Sequence, residues 1–247
     1  MDRCDFLPVS AEEMHERGWW WYDALVVGGD AYVDHPSFGT AVISRVLEAE
    51  GLRVAVLAQP DWHDAEAFRA MGRPRLGVFI GAGNLDSMVA HYTAAKKRRT
   101  QDLYSPGNRM GLRPDRPTIV YANRCREAFG NIPIIVGGLE ASLRRFAHYD
   151  YWDDSVRRAI LFDAPADLLV YGMGEAATIE IAHRLRKKQS VHTMTDIPGT
   201  GYITRDPSVC KFDHITLPSF EDVRDDKRLY AEATRTEYAE HDPVRGR

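Results

Sequence analysis

Short apolar runs alternate with helical patterns from residue 23 to residue 190 of the chain. Each run is apolar at successive positions, as in Val54-Ala55-Val56-Leu57, which is typical of strands covered by helices on both faces. These runs predict strands at residues 23–28, 53–58, 76–81, 132–137 and 167–172. The intervening stretches predict helices at residues 37–50, 64–71, 85–98, 117–129, 139–147 and 175–188. The alternation predicts a doubly wound α/β fold with a mainly parallel, five-stranded sheet.

The α/β rhythm stops after Ser190. Beyond it, residues 199–204 predict a turn with a short strand, and residues 220–241 predict a charged helix with few apolar positions. A polar helix without an evident core of its own is typical of a connection to a further part of a protein. We therefore expect three regions: a lead-in at residues 1–20, an α/β domain at residues 21–205, and a linker with a helical extension at residues 206–247.

Composition limits the class of protein and its partners. The chain has 247 residues, of which 44% are hydrophobic, enough for a buried core. Its net charge of -4 provides no general field for a polyanion, so nucleic acid is not expected as a partner. No stretch approaches the roughly 18 apolar residues of a membrane span. Cys4, Cys125 and Cys210 are odd in number and far apart, which indicates free thiols in a reducing compartment. A soluble, cytoplasmic protein is the expectation.

Candidate binding residues follow the predicted strands. Ligands of open α/β sheets bind beyond the carboxyl ends of the strands, where loops converge and helices begin. The candidate cofactor-binding residues are Asp30, Asp34, His35, Ser37, Gly39, Gly137, Gly138, Glu140, Gly172, Gly174 and Glu175. Together with Asp61 and Asp86, the acidic members predict an acidic rim, which disfavours a phosphate-rich ligand and suits a neutral or cationic one.

The chemistry of these candidates stays open. Asp34 and His35 suit proton transfer, or His35 serves only to cap the loop. No HxH or HExxH spacing supports a metal site, so none is predicted, and no catalytic residue is assigned. Residues 81–83 read Gly-Ala-Gly and lack the third glycine of a dinucleotide fingerprint, and a Walker A motif is absent. NAD, FAD and nucleoside triphosphates are therefore not expected.

Three further segments have alternative interpretations. The basic run at residues 96–99 is either a nucleic-acid contact or, as we favour, the solvated end of the preceding helix. Residues 144–154 mix aromatic side chains with both charges and predict either an interface with a neighbouring domain, as we favour, or an ordinary, partly exposed surface. The Pro-, Gly-, Asn- and Arg-rich residues 100–116 predict a long loop, either a functional lid or irregular structure.

Several of these segments together resemble a known family. They are residues 29–39 (Gly-Asp-Ala-Tyr-Val-Asp-His-Pro-Ser-Phe-Gly), 58–62 (Ala-Gln-Pro-Asp-Trp), 137–152, 171–175 (Tyr-Gly-Met-Gly-Glu) and the closing residues 242–246. This set resembles the N-terminal part of the YgiQ-type radical SAM proteins, over nearly the whole chain. The resemblance implies a Rossmann-like α/β domain related to cobalamin-binding domains. It also implies a following barrel, whose CxxxCxxC motif holds a [4Fe-4S] cluster that binds S-adenosylmethionine.

The chain contains no CxxxCxxC motif, so the resemblance implies that cluster and S-adenosylmethionine belong to the missing barrel. That barrel is the expected intramolecular partner, and we expect the chain to be a piece of a longer protein. The lower-ligand pattern of cobalamin proteins, Asp-x-His-x-x-Gly, is not matched, because Asp34 and His35 are adjacent and Gly39 lies four positions beyond His35. Relatives within the radical SAM class hold cobalamin without a histidine ligand, so cobalamin remains a candidate cofactor.

Three functions follow from this sequence. The first is a module that contributes a substrate or cofactor cleft to a radical SAM enzyme and is not catalytic alone. The second is a non-catalytic interaction module whose degenerate cleft docks the barrel or a partner. The third, a freestanding hydrolase using Asp34 and His35, lacks a nucleophile elbow or a metal set.

Overall fold

A computed structural model describes residues 6–241 and residue 246. The strands are β1 Ala24–Gly28, β2 Val54–Ala58, β3 Gly77–Gly81, β4 Ile134–Gly137, β5 His148–Asp150, β6 Ser155–Arg157, β7 Leu168–Val170 and β8 Thr200–Gly201. The α-helices are α1 Ala11–Glu16, α2 Gly39–Ala49, α3 Glu66–Arg69, α4 Ser87–His91, α5 Pro117–Phe129, α6 Gly138–Leu143, α7 Glu175–Arg186, α8 Phe220–Asp225 and α9 Lys227–Glu240. None of these helices has the length and apolar character that a bilayer crossing requires.

The main sheet has the strand order β2-β1-β3-β4-β7-β8, and all its pairs are parallel except β7 with β8. The doubly wound, mainly parallel α/β fold is thus confirmed, but the sheet has six strands, not five. The sixth strand, β8, pairs Gly201 with Leu169 at the edge and is only two residues long, too short to show an apolar run. The order places the topological switch of the sheet between β1 and β3.

Both faces of the sheet are buried, as its two-sidedly apolar strands require. Helices α2 and α7 cover one face, where Leu47 and Ile181 belong to one buried cluster with strand residues such as Val56. Helices α3 and α5 cover the other face, where Phe68 and Tyr121 contact each other in the core. The core therefore consists of two layers separated by the sheet.

Several predicted helices are shorter in the structure. The prediction of a helix at residues 85–98 was wrong beyond His91, because Tyr92 is extended and forms a bridge with Arg98 across a tight turn. The predicted helix at residues 139–147 ends at Leu143, before β5. The helix predicted at residues 37–50 begins at Gly39, with Phe38 at its N-cap position and no side-chain cap.

The ends of the described chain pack on the α/β unit. Leu7 is fully buried, and the Pro8 carbonyl accepts a hydrogen bond from Val56 N of β2. At the other end, α8 contacts β6, and Tyr230 Oη of α9 accepts a hydrogen bond of 2.9 Å from Tyr149 N. The chain's own extension thus covers part of the surface predicted as a domain interface. Of residues 242–246, all but Gly246 lie outside the described residues.

Candidate functional site

A cleft of about 260 Å³ opens at the carboxyl edge of the sheet, on the face covered by α2 and α7. The first turns of these two helices form its walls, and the ends of β3 and β4 form its floor. Six of the predicted site residues line it together: Gly39, Gly137, Gly138, Gly172, Gly174 and Glu175. The cleft thus lies where an open α/β sheet ordinarily binds its ligand.

The lining of the cleft is mainly apolar and glycine-rich. A Cβ atom added at Gly39 or Gly81 would meet no other atom within 4 Å, so the missing side chains leave this space open. Lysine and arginine are absent from the lining among the described residues, and Glu175 is its carboxylate. Such a surface suits an uncharged, flat or apolar group rather than a phosphate.

Sequence reasoning missed several apolar residues of the cleft, among them Ile43, Ile135 and Met173. Ile43 lies in α2 and Ile135 lies in β4. From the sequence alone, hydrophobic residues at such positions cannot be distinguished from core residues. Met173 stands between two predicted glycines and is 87% exposed. Its position between these two glycines was the sequence signal that could have identified it as a cleft residue.

Asp34 and His35 do not form a proton-transfer pair. Asp34 is ion-paired with Arg45, whose Nε donates a hydrogen bond of 3.0 Å to Asp34 Oδ2. This pairing raises the pKa of Arg45 above its ordinary value. His35 is exposed, and its Nδ1 accepts a hydrogen bond of 3.1 Å from Ser37 N. Neither side chain lines the cleft, so the arrangement gives no support to a hydrolase using these two residues.

Asp30 is buried beneath the long loop rather than exposed at the cleft. Arg113 Nη1 donates a hydrogen bond of 2.8 Å to Asp30 Oδ1, and Arg113 Nη2 donates one of 2.7 Å to Asp102 Oδ2. Burial raises the pKa of Asp30, while the Asn84 N–H and Arg113 oppose that rise. Residues 100–116 therefore form irregular structure with a buried ionic anchor at the end of β1.

Glu140 is also a structural carboxylate. It is fully buried, and it accepts hydrogen bonds from Ser87 Oγ (2.7 Å), Ser87 N (3.2 Å) and Thr118 N (3.1 Å). Asp86 is ion-paired with Arg144 beside it. The prediction of an acidic rim was thus wrong. Asp30, Asp34 and Asp86 are ion-paired with arginines that lie 11 or more residues away in the sequence, and Glu140 is buried and hydrogen-bonded.

The cysteines do not fit a [4Fe-4S] cluster. Cys125 is fully buried within α5, and burial raises the pKa of its thiol, which disfavours the thiolate that ligates iron. Cys210 is half-buried in the C-terminal segment, and Cys4 lies outside the described residues. Within residues 6–241 and 246, no three His, Cys, Asp or Glu side chains are grouped to hold a metal ion.

Comparison with known proteins decides the family. Residues 6–247 match the family described as Radical SAM N-terminal. The chain belongs to this family. UPF0313 proteins of Clostridium botulinum (strain 657) and Clostridium perfringens (strain 13) are each 53% identical to this radical SAM N-terminal domain over all 247 residues. The chain spans only 38% and 37% of their lengths. The predicted resemblance to the N-terminal part of a radical SAM protein is confirmed.

Among solved structures, one that is similar to the chain is an enzyme. It is the radical S-adenosylmethionine methyltransferase TsrM from Kitasatospora setae, determined with cobalamin and a [4Fe-4S] cluster bound. The similarity covers 74% of this chain and 27% of TsrM, with 21% sequence identity and a TM-score of 0.45.

Proposed function

We propose that this domain supplies the ligand cleft and the docking face of a YgiQ-type radical SAM [4Fe-4S] enzyme and performs no radical chemistry alone. One observation carries the proposal: an apolar, glycine-lined cleft lies at the carboxyl edge of the sheet in a radical SAM N-terminal domain. The cysteines that ligate a cluster in such enzymes belong to the part of the protein beyond this chain.

Cobalamin is the cofactor we propose for the cleft. Gly39, Gly137, Gly138, Gly172 and Gly174 would lie against its corrin ring, since their missing side chains leave open space between the walls, and its phosphate-bearing nucleotide would lie outside the cleft. When bound, a corrinoid supplies a cobalt centre for methyl or electron transfer. His35 lies outside the cleft lining, which fits binding without a histidine ligand from this loop. The apolar walls would exclude water from the bound group.

An exposed apolar rim beside the cleft supports the docking role. Leu139 and Leu143 on α6 and Tyr171 and Met173 after β7 are all exposed, and Gly172 N donates a 3.3 Å hydrogen bond to Ser142 Oγ between them. Contiguous exposed apolar side chains mark surfaces that another part of a protein covers. Because the chain spans 38% of its botulinum relative, we propose that the missing barrel covers this rim.

The alternative is an interaction module with a degenerate cleft. It is favoured by the same rim and by the structural engagement of Asp30, Asp34 and Glu140, which leaves the domain without an evident catalytic group. In that case the rim docks a partner and the cleft holds no cofactor. Under the first function the isolated chain binds cobalamin, and under the alternative it binds no cofactor.

Anaerobic reconstitution of the chain with iron, sulfide and hydroxocobalamin separates these functions. After desalting, the proposal expects near-stoichiometric cobalt with a corrinoid absorption band and no retained iron–sulfur absorbance. A chain that retains neither cobalt nor iron would support the interaction module instead. Stable iron–sulfur absorbance would contradict the assignment of the cluster to the missing barrel.

A further inference from the structure

A second concavity lies between α4 and the start of the long loop. It has a volume of about 580 Å³, within the range of small-molecule sites, and its walls include Leu85, Val89, Arg98, Arg99, Leu103 and Tyr104. We call it the arginine groove. It includes Arg98 and Arg99 of the basic run at residues 96–99. That run was predicted to be the solvated end of a helix, but α4 already ends at His91, so the prediction was wrong.

The backbone holds both arginines of the groove in place. Arg98 forms a bridge with Tyr92, and Arg99 N donates a hydrogen bond of 2.7 Å to the His91 carbonyl. Arg99 Nε also donates to the carbonyls of Val89 and Tyr92, both at 3.2 Å. In the part of the chain that the structure describes, neither Arg98 nor Arg99 forms a direct ion pair with a carboxylate. Their Nη groups remain available for an anion.

The neighbouring acids have hydrogen-bond partners other than these two arginines. Asp102 lines the groove but is buried, and it accepts hydrogen bonds from Arg113 Nη2 at 2.7 Å and from Tyr104 N at 3.0 Å. Asp115 is bonded to His91 Nδ1 at 2.6 Å and accepts a hydrogen bond from Tyr92 Oη at 2.7 Å, and its charge also attracts Arg98 without a direct ion pair. The groove is therefore cationic on one side.

The other walls of the groove are apolar and accessible. Val89 is 53% exposed and Leu103 is 75% exposed, although both are large aliphatic side chains. Two arginines and an aliphatic surface in one concavity match a molecule with an anionic end and an apolar body. They do not match single-stranded nucleic acid, which needs a longer cationic track and stacking aromatics.

We propose that the arginine groove binds a small organic anion, a carboxylate or phosphate attached to an aliphatic body. Arg98 and Arg99 bind the charged end, and Val89 and Leu103 contact the apolar body. This site is separate from the glycine-lined cleft and does not depend on cobalamin binding there.

Isothermal titration of the chain with dodecyl phosphate, below its micelle concentration, tests this proposal. The R98Q/R99Q double variant should bind at least about tenfold more weakly than the unaltered chain, because two charge-assisted contacts are lost. K187Q/K188Q is the matched control: it removes the same charge from exposed positions after α7 and should bind as the unaltered chain does. R98Q alone should weaken binding in the same direction, and it leaves the Arg99 backbone contacts intact.

Two further variants locate the site. V89S/L103S should weaken dodecyl phosphate binding about tenfold as well, since the alkyl chain loses its contacts. G81V, which fills the glycine-lined cleft, should leave dodecyl phosphate binding unchanged. Dodecyl phosphate binding that survives R98Q/R99Q, or that G81V abolishes, would overturn the proposal.

Comparison ligands test the chemical class. Dodecanoate should bind at the same site, whereas dodecanol and inorganic phosphate should each bind more weakly than dodecyl phosphate. Equal binding of dodecanol would mean an apolar patch only, and equal binding of inorganic phosphate would mean a simple ion site. Tighter binding of a single-stranded RNA oligonucleotide, lost in R98Q/R99Q, would make the groove a nucleic-acid contact. Each of these three results would overturn the proposal.

Discussion

Arg113 Nη1 donates a hydrogen bond of 2.8 Å to Asp30 Oδ1, although 83 residues of chain separate the two. The guanidinium is 1% exposed, and its other end binds Asp102. This buried contact anchors the long loop at the end of β1, beside the topological switch of the sheet. An ionic anchor of this kind is costly to break, because either partner left alone is a buried, unpaired charge.

Replacing Arg113 with methionine should therefore destabilise the fold strongly. The substitution leaves Asp30 and Asp102 buried without their cation, and we expect a loss of about 3–5 kcal/mol in the free energy of unfolding. Urea titration followed by circular dichroism measures it. The control is Arg158→Met, whose guanidinium is exposed and pairs with Asp163; it should cost about 0–1 kcal/mol. Similar losses in the two variants would contradict the anchor.

Gly83 tests the same anchor from the backbone side. Its φ is +107°, and a Cβ atom there would lie 2.1 Å from Asp30 Oδ1, the atom that binds Arg113. Gly111 also has a positive φ, +90°, but a Cβ there would meet nothing within 4 Å. Gly111→Ala should cost roughly 1–2 kcal/mol from backbone strain alone. Gly83→Ala should lower the free energy of unfolding clearly more than Gly111→Ala does. Thermal unfolding of the two variants measures this difference, and equal decreases in Tm would contradict a fixed position of Asp30.

Glu140 should behave as a structural residue and not as a ligand residue. Glu140→Gln replaces one acceptor oxygen with an amide N–H that faces existing donors, and we expect a loss of about 1–3 kcal/mol. Glu180→Gln, at a half-buried helical pair with Arg184, is the control, with an expected loss of a few tenths of a kcal/mol. Intact stability in Glu140→Gln together with lost cobalt retention would return Glu140 to the cofactor site.

Asp115 should contribute a pH-dependent part of the stability. The hydrogen bond from His91 holds the pKa of Asp115 below its ordinary value of 3.8. A carboxyl with a lowered folded-state pKa stabilises the fold above its unfolded-state pKa, and this stabilisation is lost as pH falls through the folded-state value. The stability deficit of Asp115→Asn should therefore be largest near pH 6 and shrink toward about pH 2.5.

Urea titrations of both chains at these pH values measure that difference. The control Asp213→Asn changes an exposed carboxylate without a hydrogen bond in the described chain, and its effect should stay small throughout. A deficit of Asp115→Asn that is constant with pH would contradict the interpretation of the His91 contact.

The sheet was predictable from sequence because strands such as residues 54–57 must be apolar on both faces. The cleft position followed from the rule that ligands gather at the carboxyl edge, which placed Gly39, Gly137 and Gly174 in one region. The predicted acidic rim was wrong because the partners of these carboxylates could not be recognised from the sequence. Their partners, Arg45, Arg113 and Arg144, lie 11 to 83 residues away, and no local pattern pairs them.

If the glycine-lined cleft binds cobalamin, a variant that fills the cleft should lose cobalt. Gly81→Val adds a β-branched side chain at a strand position where a Cβ meets no atom within 4 Å, so it fills the cleft without disturbing the sheet. Ala231→Leu adds similar bulk on the exposed surface of α9 as the control.

After incubation with hydroxocobalamin and desalting, cobalt per chain is measured in the three proteins. We expect near-stoichiometric cobalt in the unaltered chain and in Ala231→Leu, and a loss of most of it in Gly81→Val. Equal cobalt in all three proteins, or none in the unaltered chain, would contradict cobalamin binding in this cleft.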